Sequence, residues 1–308
     1  MKRSTAAFLF GALFVTIGKA QTHGTIKGIQ WEAHAKPIYS DLDDDFAKDP
    51  SIVQADGQFY MFYTGAAPGF QGGTPPWQIE YATSPDGLNW TKQGTAFTAD
   101  DDTWEAGRVQ APSRPIWHKG QYYMFYAGGP RQPVNRVYTG FVTSKDLIHW
   151  TKHPQIIRHD NKANDPFLFK EGGTFYLFYT TYAEGEPVFC RTSTDLMTWS
   201  DPVKTDAEGE GVVVWKANGG GYYLIACIGY SGKGEFYKLY YSEKLTGFKD
   251  LGKIDMNVPS WASDAFGHGD VIRKGDEDWL YFQGTHDGGK TFQIGLAKHR
   301  IDRLSRDK

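Results

Sequence analysis

DPSIVQADGQFYMFYTG, residues Asp49 to Gly65, reads as a β-rich run, a tight turn containing glycine, and a second run with aromatics at alternating positions. Four more segments follow the same plan. They are APSRPIWHKGQYYMFYAG (Ala111 to Gly128), DPFLFKEGGTFYLFYT (Asp165 to Thr180), EGVVVWKANGGGYYLIA (Glu210 to Ala226) and HGDVIRKGDEDWLYFQG (His268 to Gly284). With Tyr60, Tyr123, Tyr176, Tyr223 and Trp279 taken as equivalent, the spacings are 63, 53, 47 and 56 residues. Repeats of this size, each a supersecondary unit, predict stacked blades around an axis.

A second repeat follows the first in four units: ATSPDGLNW to Trp90, VTSKDLIHW to Trp150, RTSTDLMTW to Trp199 and YYSEKLTGF to Phe248. A strand ends, a serine turn, Ser-x-Asp in the first three units and Ser-Glu-Lys in the fourth, reverses the chain, and an aromatic opens the next strand. Four strands per unit and five units predict an all-β, five-bladed β-propeller, with the repeated tryptophans packing between blades. The fifth unit lacks an obvious Ser-x-Asp turn and has little chain after it. Its outermost strand is expected from the segment near GTIKGIQWEA at the N-terminal end, closing the ring and covering its exposed edge.

Composition agrees with this. The chain has 308 residues, of which 16% are aromatic and 36 are glycine, with a formal net charge of −3 and no basic cluster, so nucleic acid is not an expected partner. Residues 1–20, MKRSTAAFLFGALFVTIGKA, place Lys2 and Arg3 before an apolar run and end on small residues, the pattern of a secretory signal peptide. The run is too short to span a bilayer. The expectation is a secreted or periplasmic monomer with a single propeller domain over 21–308 and no membrane association. Cys190 and Cys227 either pair or remain buried thiols.

In a propeller the first strand of each blade lines the central channel, so residues at the starts of those strands meet at one mouth. Asp49, Asp165 and His268 each lie 11 residues before their equivalent aromatic, and Glu210 lies 13 before Tyr223, behind a longer turn. Three carboxyls gathered there suit glycoside hydrolysis. That chemistry needs one protonated carboxyl for the leaving group and one ionised partner to activate water or attack.

At these residues the chain resembles glycoside hydrolase family 43, within the wider group of five-bladed propellers that includes arabinanases, levansucrases and invertases. The resemblance implies that Asp49 in DPSIV is the general base, Asp165 in NDPFLF tunes and orients the acid, and Glu210 in EGVVVW is the acid. Two departures stand out: Val212 replaces the usual proline after Glu-Gly, with Glu208 in a similar pair upstream, and Gln110 precedes Ala-Pro where tryptophan is common. The resemblance also suggests a cation or water beside His268. No cofactor is expected to be required, and a structural calcium near His268 is the one option. Phe70, Trp77 and Trp104 are candidates for stacking on a sugar, with Arg114 and His268 for hydrogen bonds to it.

The expected function is an inverting hydrolase of arabinofuranosyl or xylosyl linkages in plant-type polysaccharide, with carbohydrate as its partner. The alternatives are a fructosidase-like retaining enzyme, a phosphorolytic one using cations such as Arg108, Arg114 and Arg136, or a carbohydrate-binding propeller without turnover.

Overall fold

The computed structural model describes residues 30–301, apart from 42–45, 68, 71–75, 131, 134, 155, 161, 182 and 230–234. The 1–20 segment read as a signal peptide lies outside the described residues. The described chain forms five antiparallel blades. Blade one comprises Ala47–Ala55, Gln58–Ala66, Trp77–Ser84 and Thr91–Phe97. Blade two has a first strand broken into Gly107–Gln110 and Ile116–His118, then Gln121–Pro130, Tyr138–Ser144 and a two-residue edge, Thr151–Lys152. Blade three runs from Asn164–Glu171 through Thr174–Thr180 and Pro187–Ser193 to Val203–Glu208, and blade four from Glu210–Lys216 through Tyr222–Ile228 and Phe236–Ser242 to Lys249–Lys253.

Blade five uses Ala265–Lys274, Glu277–Thr285 and Gln293–Arg300, and takes its outer strand from Gln30–Ala33 near the other end of the chain. Glu32 pairs with Lys298 and Ala33 with Ala297, antiparallel. The ring is therefore closed by the N-terminal strand. Asp255–Met256 then pairs with that strand on its far side, so a short segment from the blade-four connection covers the clasp.

Aromatic side chains hold the blades to one another. Trp150 of blade two meets Phe62 of blade one at 5.3 Å, Trp199 of blade three meets Phe125 of blade two at 5.5 Å, and Phe248 of blade four meets Phe178 of blade three at 6.1 Å. Trp90 of blade one meets Tyr281 of blade five at 6.1 Å, and Tyr237 of blade four meets Phe266 of blade five at 5.6 Å, completing the ring. The repeated aromatic after each turn is thus an inter-blade wedge. Such edge-to-face pairs add about 0.5–1.5 kcal/mol beyond the area they bury.

The turn that precedes each wedge closes on itself. In blade one the Ser84 hydroxyl donates to Asp86, whose Oδ1 accepts from the amides of Leu88 and Asn89. Asp146 and Asp195 repeat the arrangement. Blade five has the same device after all: Thr285 donates to Asp287 at 2.9 Å, and Asp287 accepts from the amides of Lys290 and Thr291. Threonine stands in for serine because the hydroxyl is the part that matters, so a search for Ser-x-Asp misses it.

The first strands pack against one another around the axis. Each has a residue with φ between 41° and 59° near its start: Asp49 at 54°, Ala111 at 48°, Asp165 at 49°, Gly211 at 59° and His268 at 41°. In blades one, three, four and five a break in pairing register accompanies this kink, the mark of a β-bulge, which re-aims the side chain at that point. Val53, Phe169, Trp215 and Ile272, opposite the four equivalent aromatics, show that Gly211 and not Glu210 is the counterpart of Asp49, Asp165 and His268. Glu210 sits one residue earlier, at the position of Lys48, Asn164 and Gly267. Sequence spacing placed it at the kink because the longer blade-four turn was taken to absorb the whole difference.

Candidate active site

Four of the expected residues converge. Asp165, Glu210 and His268 present side-chain atoms that all lie within 4.8 Å of one another, and His268 Nδ1 is 2.9 Å from Asp49 Oδ1 and 4.0 Å from Asp165 Oδ1. All four residues are buried. They come from blades one, three, four and five, and blade two contributes Ala111 and Pro112 to the cavity wall. The cavity is narrow at this depth, about 30 Å³, space for a water-sized group. Gly211 makes the closeness possible: a Cβ there would come within 2.7 Å of His268 Cα, and its φ is positive.

Asp49 is the most tightly held. Thr64 donates its hydroxyl to Oδ2 at 2.7 Å while accepting the Ala111 amide at 2.8 Å, and the Asp49 amide donates to Gln283 at 2.6 Å. Lys48 Nζ lies 3.7 Å from Oδ2. Burial pushes the Asp49 carboxyl up, but Lys48, His268 and the Thr64 hydrogen bond outweigh it and hold the group well below the usual range. Asp49 is therefore an ionised carboxylate.

Asp165 is its opposite. Neither carboxylate oxygen has a hydrogen-bond partner among the described residues. Burial, opposed by His268 and reinforced by Glu210 and Asp49, raises it to about 6. His268 is pushed to about 9, because Asp165, Asp49 and Glu210 together overcome the burial that disfavours its charge. The centre thus carries an imidazolium between acids.

Glu210 meets Lys162, a fully buried lysine whose Nζ bonds Oε1. Burial raises the Glu210 carboxyl, but Lys162 and His268 more than offset it and lower it. A second carboxyl is Glu186, from the turn before Pro187–Ser193, which stands 3.9 Å from Lys162 Nζ and is raised in part by the Glu210 charge. Glu208 lies outside this group, paired with Lys238 at 2.8 Å and half exposed. The structure brings Glu210 and not Glu208 to the cluster.

The outer candidates divide. Trp77 adjoins the site through Lys48, whose ammonium lies 3.9 Å from the indole centroid, and Phe70 packs behind it through Phe46, at 4.5 Å. Arg114 lines the cavity, but its guanidinium is committed to Asp270 and to the Val271 carbonyl, bridging blades two and five as a floor. Asp270 in turn accepts the Ile52 amide at 2.8 Å. Trp104 is not among the residues lining the cavity. Its ring stacks on Tyr126 at 6.1 Å and packs against Gly128 and Gly140 within blade two.

Lys48, Thr64, Lys162, Glu186 and Gln283 escaped the sequence reading. Lys162 stands three residues before Asp165 and Glu186 directly before a strand-opening proline, signals visible only once the carboxyls are known to meet. Cys190 and Cys227 are free, buried thiols. Calcium would need six to eight oxygen donors. Three carboxylates stand beside His268, Asp49 bonded by Thr64 and Glu210 by Lys162, so the protein alone supplies fewer free oxygens than that.

A family model described as "Glycosyl hydrolases family 43" matches residues 42–295. The chain belongs to that family. Among solved structures similar to this family 43 chain is the GH43_1 enzyme from Xanthomonas citri complexed with xylose, at TM-score 0.67 and 14% identity, covering 86% of this chain and 90% of that one. Another is the α-L-arabinofuranosidase PaAbf62A from Podospora anserina in complex with cellotriose, at TM-score 0.64 and 17% identity, covering 89% and 97%. These likenesses show the fold. Curated relatives match shorter stretches. The 1,2-β-oligomannan phosphorylase of Thermoanaerobacter sp. (strain X514) is 26% identical over 153 residues, 49% of this chain and 50% of that protein. The acid β-fructofuranosidase of Solanum lycopersicum is 32% identical over 77 residues, 25% and 11% respectively. The family 43 chain thus spans about half the length of the first and about a tenth of the second.

Proposed function

We propose that this protein is an exported, monomeric glycoside hydrolase that cleaves arabinofuranosyl or xylosyl linkages with inversion. The observation that carries the reading is the convergence of Asp49, ionised, and Asp165 on one small cavity, with a Glu210 carboxylate oxygen within 4.8 Å of Asp165 and His268 behind its wall. Asp49 takes a proton from water as its oxygen attacks the anomeric carbon, and the bond to the leaving oxygen breaks as Glu210 protonates it. Asp165, with two oxygens unsatisfied inside the protein, is placed to accept from a substrate hydroxyl and to orient the acid. Trp77 and Phe70 supply an apolar wall beside Lys48. The sugar assignment draws its support from the arabinofuranosidase and the xylose-bound enzyme among the structural neighbours.

A product screen on arabinan, arabinoxylan, xylo-oligosaccharide, galactan and fructan, with the anomer read by NMR, tests this. Release of pentose of inverted configuration is expected. Retained configuration overturns inversion, and bound but unchanged sugar overturns hydrolysis. The phosphorylase relative favours a second reading, phosphorolysis. Against it, Arg114 is occupied by Asp270, and the buried Arg108 donates to the Arg136 carbonyl. Sugar phosphate formed only when inorganic phosphate is added would establish it. Secretion is tested by the N-terminal sequence of exported protein, and the monomer by light scattering.

A further inference from the structure

An acid catalyst must carry a proton at working pH, yet Glu210 is bonded to a lysine ammonium buried with it, an arrangement that favours the carboxylate. The resolution lies in Glu186. We propose that Glu186 and Glu210 hold one proton between them over the Lys162 ammonium, and that Glu186 is the positioning residue that keeps Glu210 able to donate it. This rests on the reading of Glu210 as the acid.

The geometry carries it. Lys162 emerges just before the first strand of blade three and is fully buried, with Nζ on Glu210 and 3.9 Å from Glu186 Oε1. Two carboxyls around one ammonium, Glu210 bonded to it and Glu186 3.9 Å from it, cannot both ionise without an uncompensated charge, so they titrate as a pair that keeps a proton. The backbone fixes Glu186 in place. Its amide donates to Ala183 O at 2.9 Å, and its carbonyl accepts from Gly209 N at 3.0 Å, tying the blade-three turn to the residue beside Glu210. Glu186 also adopts φ 45°, a left-handed conformation that a glutamate occupies only when its surroundings require it.

The two members differ in exposure: the Glu186 side chain is 37% exposed and that of Glu210 is 12%. Glu186 therefore faces solvent, and Glu210 faces Asp165 and His268. The remaining ionisable groups that bear on the pair are Asp165, whose charge raises Glu186, His268, which lowers Glu210, and the buried Cys227 thiol. Burial, with Glu210 next in effect, raises Glu186 to about 7. In turnover the proton moves from the pair to the leaving oxygen. Water supplies a replacement through Glu186 after product departs, while Asp49 returns its proton to solvent.

The test is the alkaline limb of kcat/KM against pH in Glu186→Gln, Lys162→Met and the double variant. Glu186→Gln is expected to move the limb down by one pH unit or more, since Lys162 then keeps Glu210 ionised. Lys162→Met should move it up, and the double variant should return towards wild type. A lower rate with an unmoved limb in Glu186→Gln would reduce Glu186 to a structural role and overturn the proposal. ¹³C-carboxyl NMR of glutamate-labelled protein reads the same proton without substrate: besides Glu80, which burial also raises to about 7, a second glutamate titrating near neutrality is expected in wild type and absent in Glu186→Gln. Its persistence in that variant also overturns the proposal. Wild type that cleaves no glycoside would instead sink the functional reading, leaving the NMR to decide the pair.

Discussion

The propeller uses repeated aspartates in two places, and they could hardly be treated more differently. At the periphery Asp86, Asp146, Asp195 and Asp287 each bind hydroxyls and amides within four residues of themselves, and nothing beyond the turn is needed. At the centre Asp49 is held by Thr64, 15 residues away, and by Gln283, 234 residues away, with His268 of another blade at 2.9 Å. Asp165 finds no hydrogen-bond donor among the described residues. A carboxylate satisfied by its own turn is scaffold, whereas one that depends on other blades, or is left unsatisfied, is available for chemistry.

The comparison is broken most directly by removing a charge from each region. Asp49→Asn should lower kcat/KM by about 10²-fold or more, the usual contribution of a general base, with the fold kept as judged by circular dichroism. A variant retaining over a tenth of wild-type rate would take Asp49 out of that role. Glu210→Gln should lose comparable activity on natural substrates, of order 10²-fold. It should recover much of it on aryl glycosides whose leaving group needs no protonation, while Asp49→Asn should not. Equal losses on both substrate types would reverse the assignment.

A smaller effect tests the packing that brings the centre together. Gly211→Ala adds a Cβ within 2.7 Å of His268 Cα at a left-handed position, so it should cost about 1–3 kcal/mol of stability and misplace Glu210. The thermal midpoint and kcat, measured together, should both fall. Unchanged values would mean that blades four and five do not meet this closely in solution.

Asp165→Asn sharpens the pH behaviour. The negative charge of Asp165 disfavours ionisation of the glutamate pair beside it, so removing that charge should move the alkaline limb of the rate profile to lower pH. A limb that moves upward would contradict the electrostatics described here. The least effect is expected at the rim. Asp86→Ala removes bonds confined to one turn, so it should cost about 1 kcal/mol of stability and leave kcat within two-fold. A large loss of rate there would erase the distinction between the two regions.

The sequence by itself determined the blades, because each is a local unit: alternating aromatics, a glycine turn and a self-bonded aspartate turn are set within some fifty residues. It also pointed to Asp49, Asp165 and His268, which share a spacing from the same aromatic. Glu210 was found with its register off by one, since a bulge can lie on either side of a residue and spacing alone does not say which. The protonation of the site was decided only in the tertiary structure. Lys162, Glu186 and Glu210 stand up to 48 residues apart and have no common pattern, and Thr64 and Gln283 sit in strands that read as ordinary blade sequence. Electrostatic coupling follows distance in space, and closing the ring sets those distances.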